Sequence, residues 1–221
     1  MKPAPRSKRS TRSTGPADVS VVDAEPESPR RKPGSTSESR GVGEVIRQIR
    51  TTRNLSLADL ASLSGLSIAL ISQIERGVNS PSMRSLRQLA HGLGVGVEML
   101  FSSAGEEGAS TAVVRHHSRR VLNLGKTGII MELLTPSGFE GLQTFHSYIV
   151  PGGSSGPEYD SHVGTESGLV MAGSFELWLD GTKQLLGPGD SFSFQSPTPH
   201  RYLNPGKTMC QIYWVITPPI Y

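Results

Sequence analysis

The sequence predicts two domains, one all-helical and one all-β, behind an unstructured tail. Three observations carry this. From about residue 42 to 101 apolar side chains recur at helical spacing. Beyond residue 118 that period gives way to short β-prone runs broken by Gly, Pro and Asn turns. Before residue 41 there are few large apolar side chains at all.

The tail comes first. Residues 1–40 are dominated by Pro, Ser, Arg, Lys and Glu. Such a segment cannot bury enough surface to offset its ordering entropy and is expected to be disordered. Its basic clusters, Arg6–Arg12 and Arg30–Lys32, suit at most non-specific contacts with phosphates. The tail holds nine Lys/Arg against five Asp/Glu, residues 41–103 six against four, and residues 104–221 seven against ten. A basic front and an acidic back suit a chain whose front meets nucleic acid.

Five helices are expected over residues 42–103. The first spans about Gly43 to Arg53, with Val45, Ile46 and Ile49 on one face. The next two lie in SLADLASLSGLSIALISQIERG, residues 56–77. Ser56 and Asp59 stand at capping-box spacing, Gly65 marks a sharp turn, and Ser67 offers a second N-cap. Leu70, Ile71 and Ile74 give the later helix its buried stripe, and Gly77 closes it. Two short helices joined steeply through glycine form a helix-turn-helix, whose second helix can enter a DNA major groove. A fourth helix starts near Ser82, and a short fifth covers Val97 to Phe101. Together they make a domain of roughly 60 residues, near the lower size limit for independent folding.

The second half reads as strands at Gly128–Leu134, Phe145–Val150, Gly168–Met171, Phe175–Leu179, Ser191–Phe194 and Met209–Ile216. Regularly spaced short strands imply a sandwich or barrel. Residues 104–117 are assigned to a linker and 118–221 to the β domain.

Several readings are excluded. Cys210 is the only cysteine, so neither an intramolecular disulfide nor a cysteine-rich zinc site is possible. No apolar run approaches the roughly 20 residues that span a bilayer, and the basic N-terminus has no apolar stretch behind it. A soluble, cytoplasmic protein with no membrane partner is expected.

The run LISQIERG, then Pro81–Ser82, then Leu93–Gly94–Val95 before Leu100–Phe101, resembles the five-helix lambda-repressor-like domain of XRE-family regulators. Two later segments resemble the cupin motifs. PGGSSGPEYDSHVGTESGLVMAG carries His162, Glu166 and Gly173 of the first, and GPGDSFSFQSPTPHRYLN carries Gly189, His200 and Asn204 of the second. The resemblance reaches from Val42 to the C-terminus. It implies a DNA-binding domain fused to a small cupin (double-stranded β-helix) barrel.

The resemblance implies site residues as well. On the recognition helix Ile68, Ala69, Ser72 and Gln73 face outward. Gln73 can pair bidentately with an adenine edge, and Ile68 and Ala69 can pack on thymine methyls. Ser67, Arg76, Asn79, Ser82 and Arg84 are assigned to phosphates, and Glu75 to structure. In the barrel, His162, Glu166 and His200 form a three-ligand set for Zn, Fe, Ni or Mn. Asp160 stands where the family's first paired histidine would be. It is either a fourth oxygen ligand or turned away. Tyr148, Tyr159, Asp160, Arg201 and Tyr202 are expected around an effector pocket, although for any single aromatic the core is the commoner place. His91, His116, His117 and His146 show no ligand spacing, and Cys210 is expected to be buried.

The function implied is a dimeric, ligand-responsive transcriptional regulator, by default a repressor. Its partners are a double-stranded DNA operator and a small-molecule effector. The rival is a non-haem iron oxygenase of the hydroxypropylphosphonate epoxidase type, whose facial triad uses the same residue types.

Overall fold

The computed structural model describes Met1 and residues 41–101, 112–136 and 138–219. The expectation for the tail lies outside these residues, as does most of the linker.

Among the described residues, four α-helices come first: α1 (Val42–Thr52), α2 (Leu57–Ser64), α3 (Ile68–Glu75) and α4 (Met83–Leu93). The fifth expected helix is a four-residue 3₁₀ turn, Val97–Leu100. Gly94 ends α4 in a left-handed conformation and Gly96 follows in an extended one, leaving too few residues for a full α-turn. Each interior helix starts on a serine cap. The Ser56 hydroxyl accepts from the Asp59 amide while the Asp59 carboxylate accepts from the Ser56 amide, a complete capping box. Ser67 and Ser82 cap α3 and α4 through the amides of Leu70 and Ser85. Gly65 ends α2 at φ 71°, a conformation cheap for glycine alone. Helices α2 and α3 are consequently bent 113° to one another, as in a helix-turn-helix. Ile46, Leu60, Ile71, Ile74, Leu86, Leu89 and Leu93 fill the core between the four.

Nine strands follow among the described residues: β1 (Val121–Asn123), β2 (Ile129–Leu133), β3 (Gln143–Ile149), β4 (Thr165–Ala172), β5 (Phe175–Leu179), β6 (Thr182–Leu186), β7 (Ser191–Gln195), β8 (His200–Leu203) and β9 (Cys210–Thr217). All pair antiparallel. One sheet has six strands in the order β1-β2-β3-β9-β4-β7, the other three in the order β6-β5-β8. The two face one another across an aromatic core. The Trp214 ring lies 5.7 Å from Phe175, 4.9 Å from Phe192 and 5.0 Å from Tyr202. Strands β1, β6 and β8 were not anticipated. β6 is exposed along most of its length, and β1 and β8 have only three and four residues.

The helical half rests on the barrel. Phe101 stacks on Phe145 with ring centroids 5.8 Å apart, and Gln143 donates to Glu98 at 3.1 Å. The Lys126 amide donates to Ser80 Oγ at 2.9 Å, and its ammonium to the Val78 carbonyl at 3.1 Å. The barrel therefore holds the loop that leaves α3. Among the described residues no single helix is long and apolar enough to cross a membrane.

Candidate metal centre and nucleic-acid interface

Strand alternation decides which side chains meet inside the barrel. Glu166 on β4 lies opposite Phe194 and Ile216, so it shares their inward face. On β8, His200 and Tyr202 are buried and point in, while Arg201 between them points out. His162 comes from the loop before β4. Among the described residues, the ligand atoms of His162, Glu166 and His200 all lie within 4.8 Å of one another.

The donor chemistry fits a metal ion. His200 Nδ1 lies 2.8 Å from the Thr198 carbonyl and His162 Nδ1 3.0 Å from that of Val163. With those nitrogens donating, each Nε2 keeps its lone pair. Both aim at Glu166 Oε1, at 2.9 Å from His162 and 3.4 Å from His200. Yet His162 Nε2 and Glu166 Oε1 are buried without a hydrogen-bond partner. Three lone pairs converge on one point. Glu166 Oε2 is separately engaged, accepting from Trp214 Nε1 at 2.9 Å. This outer bond orients the carboxylate and leaves Oε1 as the single free ligand atom. Burial pushes His200 below its ordinary pKa against the pull of Glu166, so its imidazole is neutral at pH 7. A divalent cation bound here would be held by two imidazoles and one carboxylate.

The residues expected around the pocket separate into three places. Tyr202 is buried in the barrel core beside Trp214, and that burial raises its pKa. Tyr148 lies on the opposite, outer face of the six-stranded sheet. Its register partners there are Ile130 and Gln211, and its hydroxyl bonds His146 Nδ1 at 3.0 Å. Arg201 also points out of the barrel, with its guanidinium 4.5 Å from the Trp178 ring and 5.2 Å from that of Tyr159. Tyr148 and Arg201 thus leave the interior to other groups, because a strand residue next to an inward one must face outward, and Tyr159 lies beside Arg201. Asp160 is buried and pairs backbone to backbone with His200, but its carboxylate binds Arg87 of α4 and not the triad. That pair outweighs burial and lowers the Asp160 pKa. Arg87 carries no motif signal, since it acts only through a partner on another element. Asn204 is fully buried, with its amide on the carbonyls of Ile149 and Thr208, and closes the turn after β8. Cys210 is buried, and its thiol is pushed up to about 11.

At the other end, Ile68 and Ala69 are exposed at the start of α3, Ile68 at 50%. Ser72 and Gln73 are half-buried one turn later. Ser67 is engaged as the cap. Arg76 folds back on the Ser72 carbonyl at 3.1 Å, and Asn79 is exposed beside it. The other two residues assigned to phosphate are engaged at the start of α4. Ser82 caps α4 and bonds Ser85 Oγ at 3.0 Å, and Arg84 donates to the Tyr159 carbonyl at 3.0 Å. Both follow from α4 lying against the barrel.

A capped helix-turn-helix resting on a double-stranded β-helix barrel defines the class: a helix-turn-helix protein with a cupin-type β domain. Family comparisons agree. The family model described as Helix-turn-helix matches residues 46–100, and that described as Cupin domain matches residues 145–216. The HTH-type transcriptional regulator PuuR of Escherichia coli K12 is 28% identical over 186 residues, covering 83% of this chain and 98% of that protein. The HTH-type transcriptional regulator SutR of the same strain is 25% identical over 178 residues, covering 80% and 95%. A crystal structure of an HTH_3 family transcriptional regulator from Vibrio cholerae superposes with a TM-score of 0.55 at 23% identity, covering 80% of this chain and 95% of that one. That last likeness is one of fold. The chain thus carries a helix-turn-helix domain of the XRE type followed by a cupin domain, and its near-full-length curated relatives are HTH-type transcriptional regulators. The curated relatives that match nearly end to end, PuuR and SutR, are both named as transcriptional regulators, which favours a regulator over an oxygenase.

Proposed function

We propose that this protein is a homodimeric, sequence-specific repressor that reads a pseudo-palindromic operator with α3 and answers to a ligand in its barrel. Residues 42–103 bind DNA, 104–117 link, and 118–221 carry the effector and dimer functions. The observation that carries the reading is the exposed N-terminal end of α3 within a complete, capped helix-turn-helix. Ile68, Ala69, Ser72 and Gln73 read base edges from that helix, while Ser67, Arg76 and Asn79 flank the phosphates. Two recognition helices of a dimer would enter successive major grooves about 34 Å apart. The barrel ligand is a divalent metal ion on His162, Glu166 and His200, alone or with a small organic effector. The convergence of three lone pairs supports the metal.

Binding of the full chain to DNA selected from a random pool tests the reading. Gln73→Ala should weaken binding to the selected sequence by about 1–3 kcal/mol and leave random DNA nearly unchanged. Equal losses on both would remove the base-reading role.

A further inference from the structure

Asp160 stands between two cationic claims. Its backbone pairs with His200 in both directions, N to O at 2.8 Å and O to N at 2.9 Å. Residues so paired carry their side chains on one face, with Cβ atoms about 5 Å apart. The Asp160 carboxylate is thus attached beside the His162–Glu166–His200 cluster. It is turned instead to the guanidinium of Arg87, whose side chain is only 13% exposed and whose Nε is buried without a partner. Arg87 belongs to α4 of the DNA-binding half.

The surrounding contacts make this pair the centre of a docking site. The segment from Ser155 to Asp160 lies immediately before His162. The Ser155 carbonyl accepts from the Met83 amide at 3.1 Å. Gly156 meets Ser82 so closely that a Cβ there would sit 2.8 Å from Ser82 Cβ. Arg84 reaches the Tyr159 carbonyl at 3.0 Å and lies 3.7 Å from the Glu158 carboxylate. One short segment thus carries a metal-ligand candidate at one end and the first turn of α4 along its length.

We propose that Arg87 and a divalent cation on the triad compete for the Asp160 carboxylate. Cation binding would draw Asp160 in as a fourth ligand and loosen α4 from the barrel. This rests on the metal-site reading above. The guanidinium fills the role of a cation that Asp160 would otherwise serve, so the two occupancies exclude one another. Because coupling is reciprocal, whatever strengthens docking of α4 must weaken the metal, and the reverse.

Titration calorimetry of the full chain with Zn²⁺, run as a double-mutant cycle, tests this. Arg87→Met should tighten Zn²⁺ binding about tenfold, the lower end of what a ligand's polar partner is worth. That gain should vanish in an Asp160→Asn background. A gain that persists there would mean plain charge repulsion and would overturn the proposal, as would no gain in the single variant. The double variant removes both charges, so it guards against a fold lost to an unpaired buried Asp160. Hydrogen exchange gives the second readout: Zn²⁺ should speed exchange of the Met83 amide in the parent chain, and an unchanged rate would count against the proposal. His200→Ala separates the two readings. Zn²⁺ bound equally well after His200→Ala, or not bound at all by the parent chain, defeats the metal site and this inference with it. Zn²⁺ held by the triad without the cycle defeats this inference alone.

Discussion

Arg50 grips Glu75 through two parallel hydrogen bonds, Nε to Oε1 at 2.7 Å and Nη2 to Oε2 at 2.9 Å. A third guanidinium bond reaches the Leu55 carbonyl at 2.8 Å. Both side chains are largely buried. The clamp fastens α1, the loop before α2 and the last residue of α3 to one another. It fixes the direction in which the recognition helix leaves the core, a geometric task for which the planar guanidinium suits better than an ammonium.

Removing one partner should therefore be costly. Glu75→Ala leaves the guanidinium buried and unpaired, and about 3 kcal/mol of stability should go with it. Urea denaturation of the full chain would show this as a lowered first transition. Arg50→Lys should lose most of the same stability, because an ammonium cannot make the fork. A change under about 0.5 kcal/mol for Glu75→Ala would mean the pair is solvated in solution.

A second expectation concerns Trp214. Its indole is the partner that turns Glu166 Oε1 toward the imidazoles. Trp214→Phe keeps an aromatic ring in the core but removes that donor. Zn²⁺ affinity should fall 10- to 100-fold, the usual effect of losing an outer partner of a ligand. The barrel should still fold, which near-ultraviolet circular dichroism would verify. Unchanged affinity would show that packing alone orients Glu166.

The helical half was legible in the sequence because its signals are local. Caps at Ser56 and Ser67 and the turn at Gly65 each act within four residues, and each appears where spacing placed it. The strand cores were legible for the same reason, through alternation. What spacing could not give is which face of a strand looks inward. Arg201 adjoins His200 in the chain yet faces the other way, and Tyr148 sits on the outer face of its sheet. Nor does any local signal announce a contact across 73 residues, such as that of Arg87 with Asp160. The same contact surface engages Ser82 and Arg84.

Acid should loosen α2 in a defined way. The Ser56 side chain and amide hold the Asp59 carboxyl below its ordinary value of 3.8. A carboxylate with a depressed folded-state pKa adds stability above its unfolded value, and that contribution fades as pH falls through the folded one. Asp59→Asn should then be less stable than the parent chain at pH 7, and the two should converge as pH falls below the carboxyl's ordinary 3.8. Thermal melts at stepped pH would show the convergence. A gap that stays constant down to that pH would mean the carboxylate's charge contributes nothing to the cap.

Ser67 allows the two tasks of the recognition helix's first turn to be pulled apart. Its hydroxyl accepts from the Leu70 amide at 3.2 Å, so it caps α3. The same position faces the backbone of bound DNA in the proposed complex. Ser67→Ala removes the cap and should cost about 1 kcal/mol of stability. Ser67→Asp keeps a capping oxygen and adds a charge that the helix N-terminus favours, so stability should hold or rise slightly. On DNA the order should reverse. The aspartate meets phosphates and should weaken binding to specific and random sequences alike, most strongly at low salt, where screening is least. The alanine variant should bind at high protein stability margin nearly as well as the parent chain. Melting curves and fluorescence anisotropy at two salt concentrations would separate these outcomes. If Ser67→Asp bound DNA as tightly as the parent at low salt, the start of α3 would not face the phosphate backbone, and the docking of the recognition helix proposed here would have to be abandoned.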